Sequence, residues 1–318
     1  MKVLICGAGI AGLALAWHLE RAGWEVELVE RAPAFRDEGY MIDFYGPGYE
    51  VAERMGLAAE LLQVRYPVDG LDYLDRDGRR RSSVTLPPSF RQVVSVLRGD
   101  LARVIRDEVR SPIMYSTSVA EIRQHDDTVG VLLTNGEHRE VDLLVGADGA
   151  HSRVRELAFG PEDRFMRYLN HHVAAYTLTD ASLSKRVGMR YQMMTVPGLM
   201  AGAYALSDDR LAVLFLRREP EPDLPDDAGQ ALLKAFGGLG WILPELLERR
   251  PDASQIYYDQ VTQIEMDRWS TGRVVLLGDA CQAVSLFAGH GASMAMTGAW
   301  TLANDLGTHD LAAALVLQ

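Results

Sequence analysis

Phosphate binding is the first chemistry legible in this chain. Gly7-Ala-Gly9-Ile-Ala-Gly12 stands near the amino terminus, and Glu30 follows Gly7 by about 20 residues. Gly7 permits a tight turn, Gly9 lets the backbone approach a pyrophosphate, and Gly12 lets a helix pack on a strand. The amides at the start of that helix then face the phosphates. An acid at Glu30 accepts from ribose hydroxyls and repels a 2′-phosphate, so the ligand is FAD or NAD rather than NADP. Ala11 within the turn and Arg31 beside Glu30 belong to the same candidate set.

Two further motifs carry buried-strand carboxylates. Leu143-Leu-Val145 runs into Gly146-Ala-Asp148-Gly149-Ala-His-Ser152-Arg153-Val-Arg155, a strand end followed by Ser-x-x-Arg. Asp148 there is either a helix cap or the anchor of a cofactor loop. Near the other end, Arg273-Val-Val-Leu-Leu277 runs into Gly278-Asp279-Ala280. An acid so distant from the glycine turn points to one ligand gripped by both ends of the chain. FAD meets that demand better than a nicotinamide cofactor does.

The elements that must hold these residues follow from the local pattern. Val3–Cys6, a helix from Leu13 to Ala22 that Gly23 ends, and Glu25–Val29 form a βαβ unit. Asp77-Gly78 reads as a hairpin turn, Val93–Leu97 as a strand, and Asp100 as the start of a helix. Arg98 sits at that strand-to-helix junction, where a cation reaches a phosphate or ribose edge. Arg36 and Asp43 lie in a glycine-rich loop region, as loop charges or as groups covering a cofactor. From Phe165 to Gln263 strand-like runs dominate, at Val173–Leu178, Arg190–Thr195, Leu199–Leu206 and Leu211–Arg217. Their alternation predicts an antiparallel sheet with one buried and one ligand-facing surface.

The expected architecture is therefore α/β: a Rossmann-type dinucleotide-binding domain with an inserted antiparallel-sheet substrate domain. The first comprises 1–68, 92–165 and 268–318, and the second 69–91 and 166–267. The chain has 318 residues, 48% hydrophobic and 24% charged, enough for roughly two domains. Its net charge of −12 repels nucleic acid and anionic membranes. No apolar run approaches the ~20 residues a membrane span requires. The two cysteines, Cys6 and Cys281, lack metal-ligand spacing and suit a reduced, cytoplasmic protein. His171-His172 has no third ligand in spacing and reads as a strand-edge pair, so no metal is expected.

Read together and in order, the three motifs resemble the single-component FAD-dependent aromatic hydroxylases and monooxygenases (the para-hydroxybenzoate hydroxylase type). The stretch Arg36 to Gly48, with its Gly-x-x-Ile-Asp pattern, is most similar to the tetracycline-inactivating branch. The resemblance implies FAD as the tight cofactor and NADPH or NADH as transient reductant. It implies that O2 adds to the reduced flavin and that a C4a-hydroperoxide delivers one oxygen atom to an aromatic or polyketide-like small molecule. Such chemistry belongs to secondary metabolism or antibiotic modification. No catalytic side chain is required, because the flavin carries the reaction.

Carried over by motif, Gly9, Gly12 and Glu30 hold the ADP half, Arg98 the phosphate region, Asp43 the flavin side and Asp279 the ribitol. Gly289, Gly291, Ala292, Ser293 and Met294 bring backbone amides to the isoalloxazine edge, and Leu286 lies beside its reactive face. Arg36 contacts the nicotinamide cofactor, and Asp148 belongs to the shared fingerprint. The substrate lies between flavin and sheet, lined by Arg190, Gln192, Met194, Met200, Tyr204, Phe215 and Phe287.

Two departures stand out. The family's His after Gly-Asp-Ala-Ala is Gln282 here, with Cys281 before it, and its Pro is Leu286. The helix starting at Asp310 ends at Gln318, which predicts an exposed apolar patch near Leu311–Leu317 or a partner over it, on a monomer or weak homodimer. Two alternatives compete. One is a related flavoenzyme, a reductase or a halogenase, although the halogenase Trp-x-Trp-x-Ile-Pro signature is absent. The other is a flavin-binding protein that has lost turnover.

Overall fold

The computed structural model describes residues 1–35, 39–87 and 93–316. The chain starts with β1 (Lys2–Cys6), α1 (Ile10–Arg21) and β2 (Glu25–Val29), then β3 (Met41–Phe44), α2 (Pro47–Arg54) and α3 (Ala58–Val64). A hairpin of β4 (Gly70–Leu74) and β5 (Arg80–Thr85) precedes β6 (Val94–Leu97), α4 (Arg98–Asp107) and β7 (Ile113–Met114). Next come β8 (Val119–Gln124), β9 (Val129–Leu133), β10 (His138–Val141), β11 (Leu143–Gly146) and α5 (Arg153–Phe159).

The second half supplies β12 (Met166–Thr179), α6 (Ala181–Val187), β13 (Arg190–Val196), β14 (Leu199–Ala205) and β15 (Arg210–Arg218). After α7 (Ala228–Phe236), α8 (Leu243–Glu248) and β16 (Tyr257–Ile264), the chain returns through β17 (Ser270–Thr271) and β18 (Val274–Leu276). It continues with α9 (Asp279–Gln282), α10 (Gly291–Thr308) and α11 (Leu311–Val316).

Two large sheets organise these elements. The first has the order β17-β18-β11-β1-β2-β7, and its central pairs β18–β11, β11–β1 and β1–β2 are parallel. Its middle strands are buried on both faces, which is why they read as continuous Val/Leu/Ile runs. Leu13, Leu15 and Leu19 of α1 are fully buried between this sheet and α4 and α10. Burial of each stabilises the layer by about 1.5–3 kcal/mol. The three-stranded sheet β10-β9-β8 and α5 cover the opposite face.

The second sheet has the order β16-β12-β15-β14-β13-β4-β5. It is antiparallel apart from β13–β4, which run parallel because β4 arrives from the first half of the chain. One face packs under α6, α7 and α8 through Ala174, Tyr176, Met194, Ala203, Val213 and Phe215. The other faces β3, β6 and the loop at Leu286, through Tyr204 and Ala212 at one end and Met200 and Leu216 at the other.

α11 departs from the sequence expectation. Ala314 and Leu315 are buried, and Ser270 donates its hydroxyl to the Leu315 carbonyl at 2.6 Å, so of 311–316 the large side chain projecting outward is Val316. Leu317 lies outside the described residues. No described helix is long and apolar enough to cross a membrane, and the described residues contain no cluster of three metal-ligating side chains.

Candidate active site

The glycine turn is built by close backbone approach. Gly7 has φ +109°, and a Cβ there would stand 2.3 Å from the Ala147 carbonyl oxygen, so the first motif packs directly on the second. At Gly12 a Cβ would meet the Gly7 carbonyl at 2.0 Å, so α1 starts hard against the turn. Glu30 braces this loop: it accepts from the Ala8 amide and the Ala32 amide, each at 2.9 Å.

The Gly278-Asp279-Ala280 turn docks on the same helix. Gly278 has φ +64°, and a Cβ there would fall 2.7 Å from the Ala11 methyl. Arg155 ties this turn to the second motif. It is wholly buried and donates to the Ala280 carbonyl (2.9 Å), the Ala150 carbonyl (2.6 Å) and Glu162 (3.1 Å). It is the arginine of the Ser-x-x-Arg pattern that starts at Ser152, although the sequence assigns it no role.

Asp148 resolves as a cap. It accepts from the Ser152 hydroxyl (2.6 Å) and from the Arg153 and Val154 amides (2.7 and 3.1 Å), while Ser152 accepts from the Arg155 amide. Its oxygens serve the first turn of α5, which corrects its assignment as a cofactor ligand.

Two charged groups differ. Asp279 is reachable by solvent yet enclosed by protein on nearly all sides, so it lines a deep channel. Burial pushes its carboxyl up, and nearby Arg98 partly offsets this. The Arg98 guanidinium has no carboxylate within ion-pair distance among the described residues, and it lies 3.8 Å from where a Cβ on Gly9 would stand. Gly291 also adjoins Asp279, its Cβ position 3.7 Å from Oδ1. Gly9, Arg98, Asp279 and Gly291 therefore follow one another along a single channel.

Two helices point their amino termini into it. α5, α6 and α7 are capped by Ser152, Asp180 and Asp227. α1 and α10 have no side-chain cap and no acid in the first turn. The amides of Ile10, Ala11 and Gly12, and of Gly291, Ala292 and Ser293, have no backbone acceptor among the described residues. Each terminus is thus a ready anion site. The amides of Gly289 and Met294 are spent on the Leu286 and His290 carbonyls, which corrects the reading of those two as ligand donors. The Ser293 hydroxyl is also engaged, accepting from the Gly48 amide (2.9 Å) and donating to the Tyr45 carbonyl (3.2 Å).

The remaining sequence candidates separate by strand face. Asp43 sits at the cleft and accepts from the Ser95 hydroxyl at 2.5 Å. Met200 and Tyr204 face the cleft, Leu286 packs beside Met200, and Phe287 is exposed with its ring edge-on to His171 at 5.2 Å. Gln192, Met194 and Phe215 point the other way. Gln192 bonds Trp241 Nε1 at 2.9 Å, and Met194 and Phe215 lie under the helices. Arg190 shares that face and is bound to Asp72 at 2.9 Å. These four do not line the cleft, because alternate residues of a strand face opposite ways. Tyr191, stacked on Tyr204 at 4.1 Å, lines it instead and was missed. Arg31 is exposed, and Arg36 lies outside the described residues.

Gln282, at the first departure from the family pattern, donates to the Met294 carbonyl at 3.3 Å. A cavity of about 610 Å³, lined among others by Gln282, Met294, Trp269 and Met266, includes neither Arg98 nor Asp279. Donor chemistry, rather than volume, therefore locates the site.

A dinucleotide fits this donor set. The turn has space over Gly9, two sets of unengaged amides suit its anionic parts, Arg98 suits phosphate, and the Asp279 carboxylate suits sugar or ribitol hydroxyls.

Comparison with known proteins gives the same picture. Residues 1–310 match the family described as FAD binding domain. An uncharacterized protein of Mycobacterium tuberculosis is 36% identical over 317 residues, covering 96% of this chain and 84% of the relative. The FAD-dependent monooxygenase asL4 of Sarocladium schorii is 30% identical, over 97% of this chain and 76% of its own length. Among solved structures, the tetracycline destructase Tet(55) superposes with a TM-score of 0.87 at 29% identity, covering 99% of this chain and 83% of that one.

Proposed function

The chain belongs to the FAD-binding family of flavin-dependent monooxygenases, and from that premise we propose that it uses NADPH or NADH and O2 to insert one oxygen atom into an aromatic or polyketide-like small molecule. The observation that carries this reading is the convergence of two uncapped helix amino termini, Arg98 and Asp279 on one channel that meets the cleft face of the second sheet. FAD, when bound, supplies hydride acceptance and the activation of O2.

The chain's own residues bind and orient. Glu30 holds the glycine turn in shape, so the α1 amides stay aimed at the pyrophosphate. Arg98 adds a full positive charge beside Gly9. Asp279 accepts from hydroxyls of the ligand's central chain. The amides of Gly291, Ala292 and Ser293 stabilise negative charge arriving at the start of α10. Leu286 and Phe287 close the cleft with apolar surface and keep water from the reacting face. A substrate like that named for Tet(55), a tetracycline, is one candidate within the proposed class.

The test is the rate of NADPH and NADH oxidation by FAD-loaded protein against a panel of phenols and polycyclic ketones. The expected result is substrate-stimulated oxidation with oxygen incorporated into product. Reductant oxidation that no member of the panel stimulates contradicts the reading.

A further inference from the structure

Resting on the function proposed above, we propose that Tyr191 and Tyr204 form the shelf that selects the substrate, and that this substrate is a flat, uncharged ring system bearing carbonyl or phenol oxygens. The two residues stand opposite one another on β13 and β14, one step beyond the Gln192–Ala203 pair. Their rings stack face to face at 4.1 Å with planes 11° apart, so the pair brace one another and offer a ligand an outer ring face and two hydroxyl edges. That surface is laid down by a missing side chain. The Tyr191 ring crosses Gly202, where a Cβ would stand 2.1 Å from the tyrosine hydroxyl, so any larger residue at 202 lifts the ring off the sheet.

The shelf's chemistry follows from its surroundings. Neither hydroxyl has a hydrogen-bond partner among the described residues, so both are free to serve a ligand. Burial, and then the nearby Asp43 carboxylate, push both phenols up from their ordinary range. They therefore remain protonated at neutral pH and act as donors, which recognise oxygen acceptors. Beyond the shelf the cleft face continues through Met200, Leu214 and Leu216, and two charged side chains on it, Asp43 and Asp259, are acids. An anionic substrate would lose its hydration there, and Asp43 and Asp259 would repel it. A neutral planar ring instead gains stacking and two donated hydrogen bonds.

The test titrates FAD-loaded protein with two probes and follows the flavin absorbance band. The first is 1,8-dihydroxyanthraquinone, flat and neutral with carbonyl and phenol oxygens. The second is para-hydroxybenzoate, a single anionic ring. The anthraquinone is expected to bind at least about tenfold more tightly. Tyr191→Leu should weaken it about tenfold, and Tyr191→Phe, which keeps the ring and loses the hydroxyl, about threefold, with flavin content unchanged. Equal binding by wild type and Tyr191→Leu overturns the proposal. So does preference for the benzoate, or a yellow protein that binds no anthraquinone. A protein lacking the flavin band overturns the underlying function together with the shelf, and its colour separates that failure from the others.

Discussion

Arg98 and Asp279 are the residues on which cofactor binding turns. Elsewhere in the molecule buried charge is spent on structure: Arg155 on three acceptors, and Asp148 on the first turn of α5. Arg98 has no such partner among the described residues. A charge-assisted hydrogen bond contributes about 1.5–3 kcal/mol. Arg98→Ala should therefore weaken FAD binding about 10- to 100-fold. Arg98→Lys should restore part of this loss, since it keeps the charge and loses the fork. Flavin fluorescence quenching on titration measures both, and unchanged affinity in Arg98→Ala removes Arg98 from the site.

At the scale of elements, the contact between the two sheets has a titratable clamp. His151, just before α5, lies 3.1 Å from Glu162 and 3.5 Å from Asp259 on β16, and Arg155 also holds Glu162. Asp259 accepts in turn from Tyr257, whose ring approaches Tyr40 at 5.9 Å next to Arg98. The hydrogen bond to Asp259, with Glu162 adding to it, raises the His151 pKa to about 9. A histidine whose folded pKa lies above its unfolded value stabilises the fold fully below about pH 6.5 and ceases to as pH rises through about 9. The Tm difference between wild type and His151→Gln should accordingly be largest near pH 6 and vanish by about pH 10. A difference independent of pH contradicts the clamp.

Much of this element plan was legible beforehand. Gly7, Gly12 and Gly278 stand where a Cβ cannot fit, so their types declare the turns, and the strands of the second sheet announce themselves by alternation. Which face of those strands meets the cleft was not legible. A period of two defines two faces, and tertiary packing of α6, α7 and α8 decides which one is covered. That is why Gln192, Met194 and Phe215 were expected in the cleft and Tyr191 was not. Asp148 escaped for a related reason: one sequence pattern serves a cap or a ligand, and the acceptor geometry alone distinguishes them.

For the whole molecule, the two chain halves close on one channel. β1 and α1 come from the start of the chain, and β18, α9 and α10 from its end. α1 packs along α10 with both amino termini unengaged. A ligand spanning them links the first motif to the last, which explains why the acid of Gly278-Asp279-Ala280 lies so far along the sequence from the glycine turn. The central claim is that this channel holds FAD. Its most direct test is the visible absorbance spectrum of the purified protein after incubation with FAD and removal of unbound flavin. The account predicts a yellow protein carrying close to one FAD per chain, with retention much reduced in Asp279→Ala. A colourless wild-type protein, or equal retention by Asp279→Ala, would contradict it.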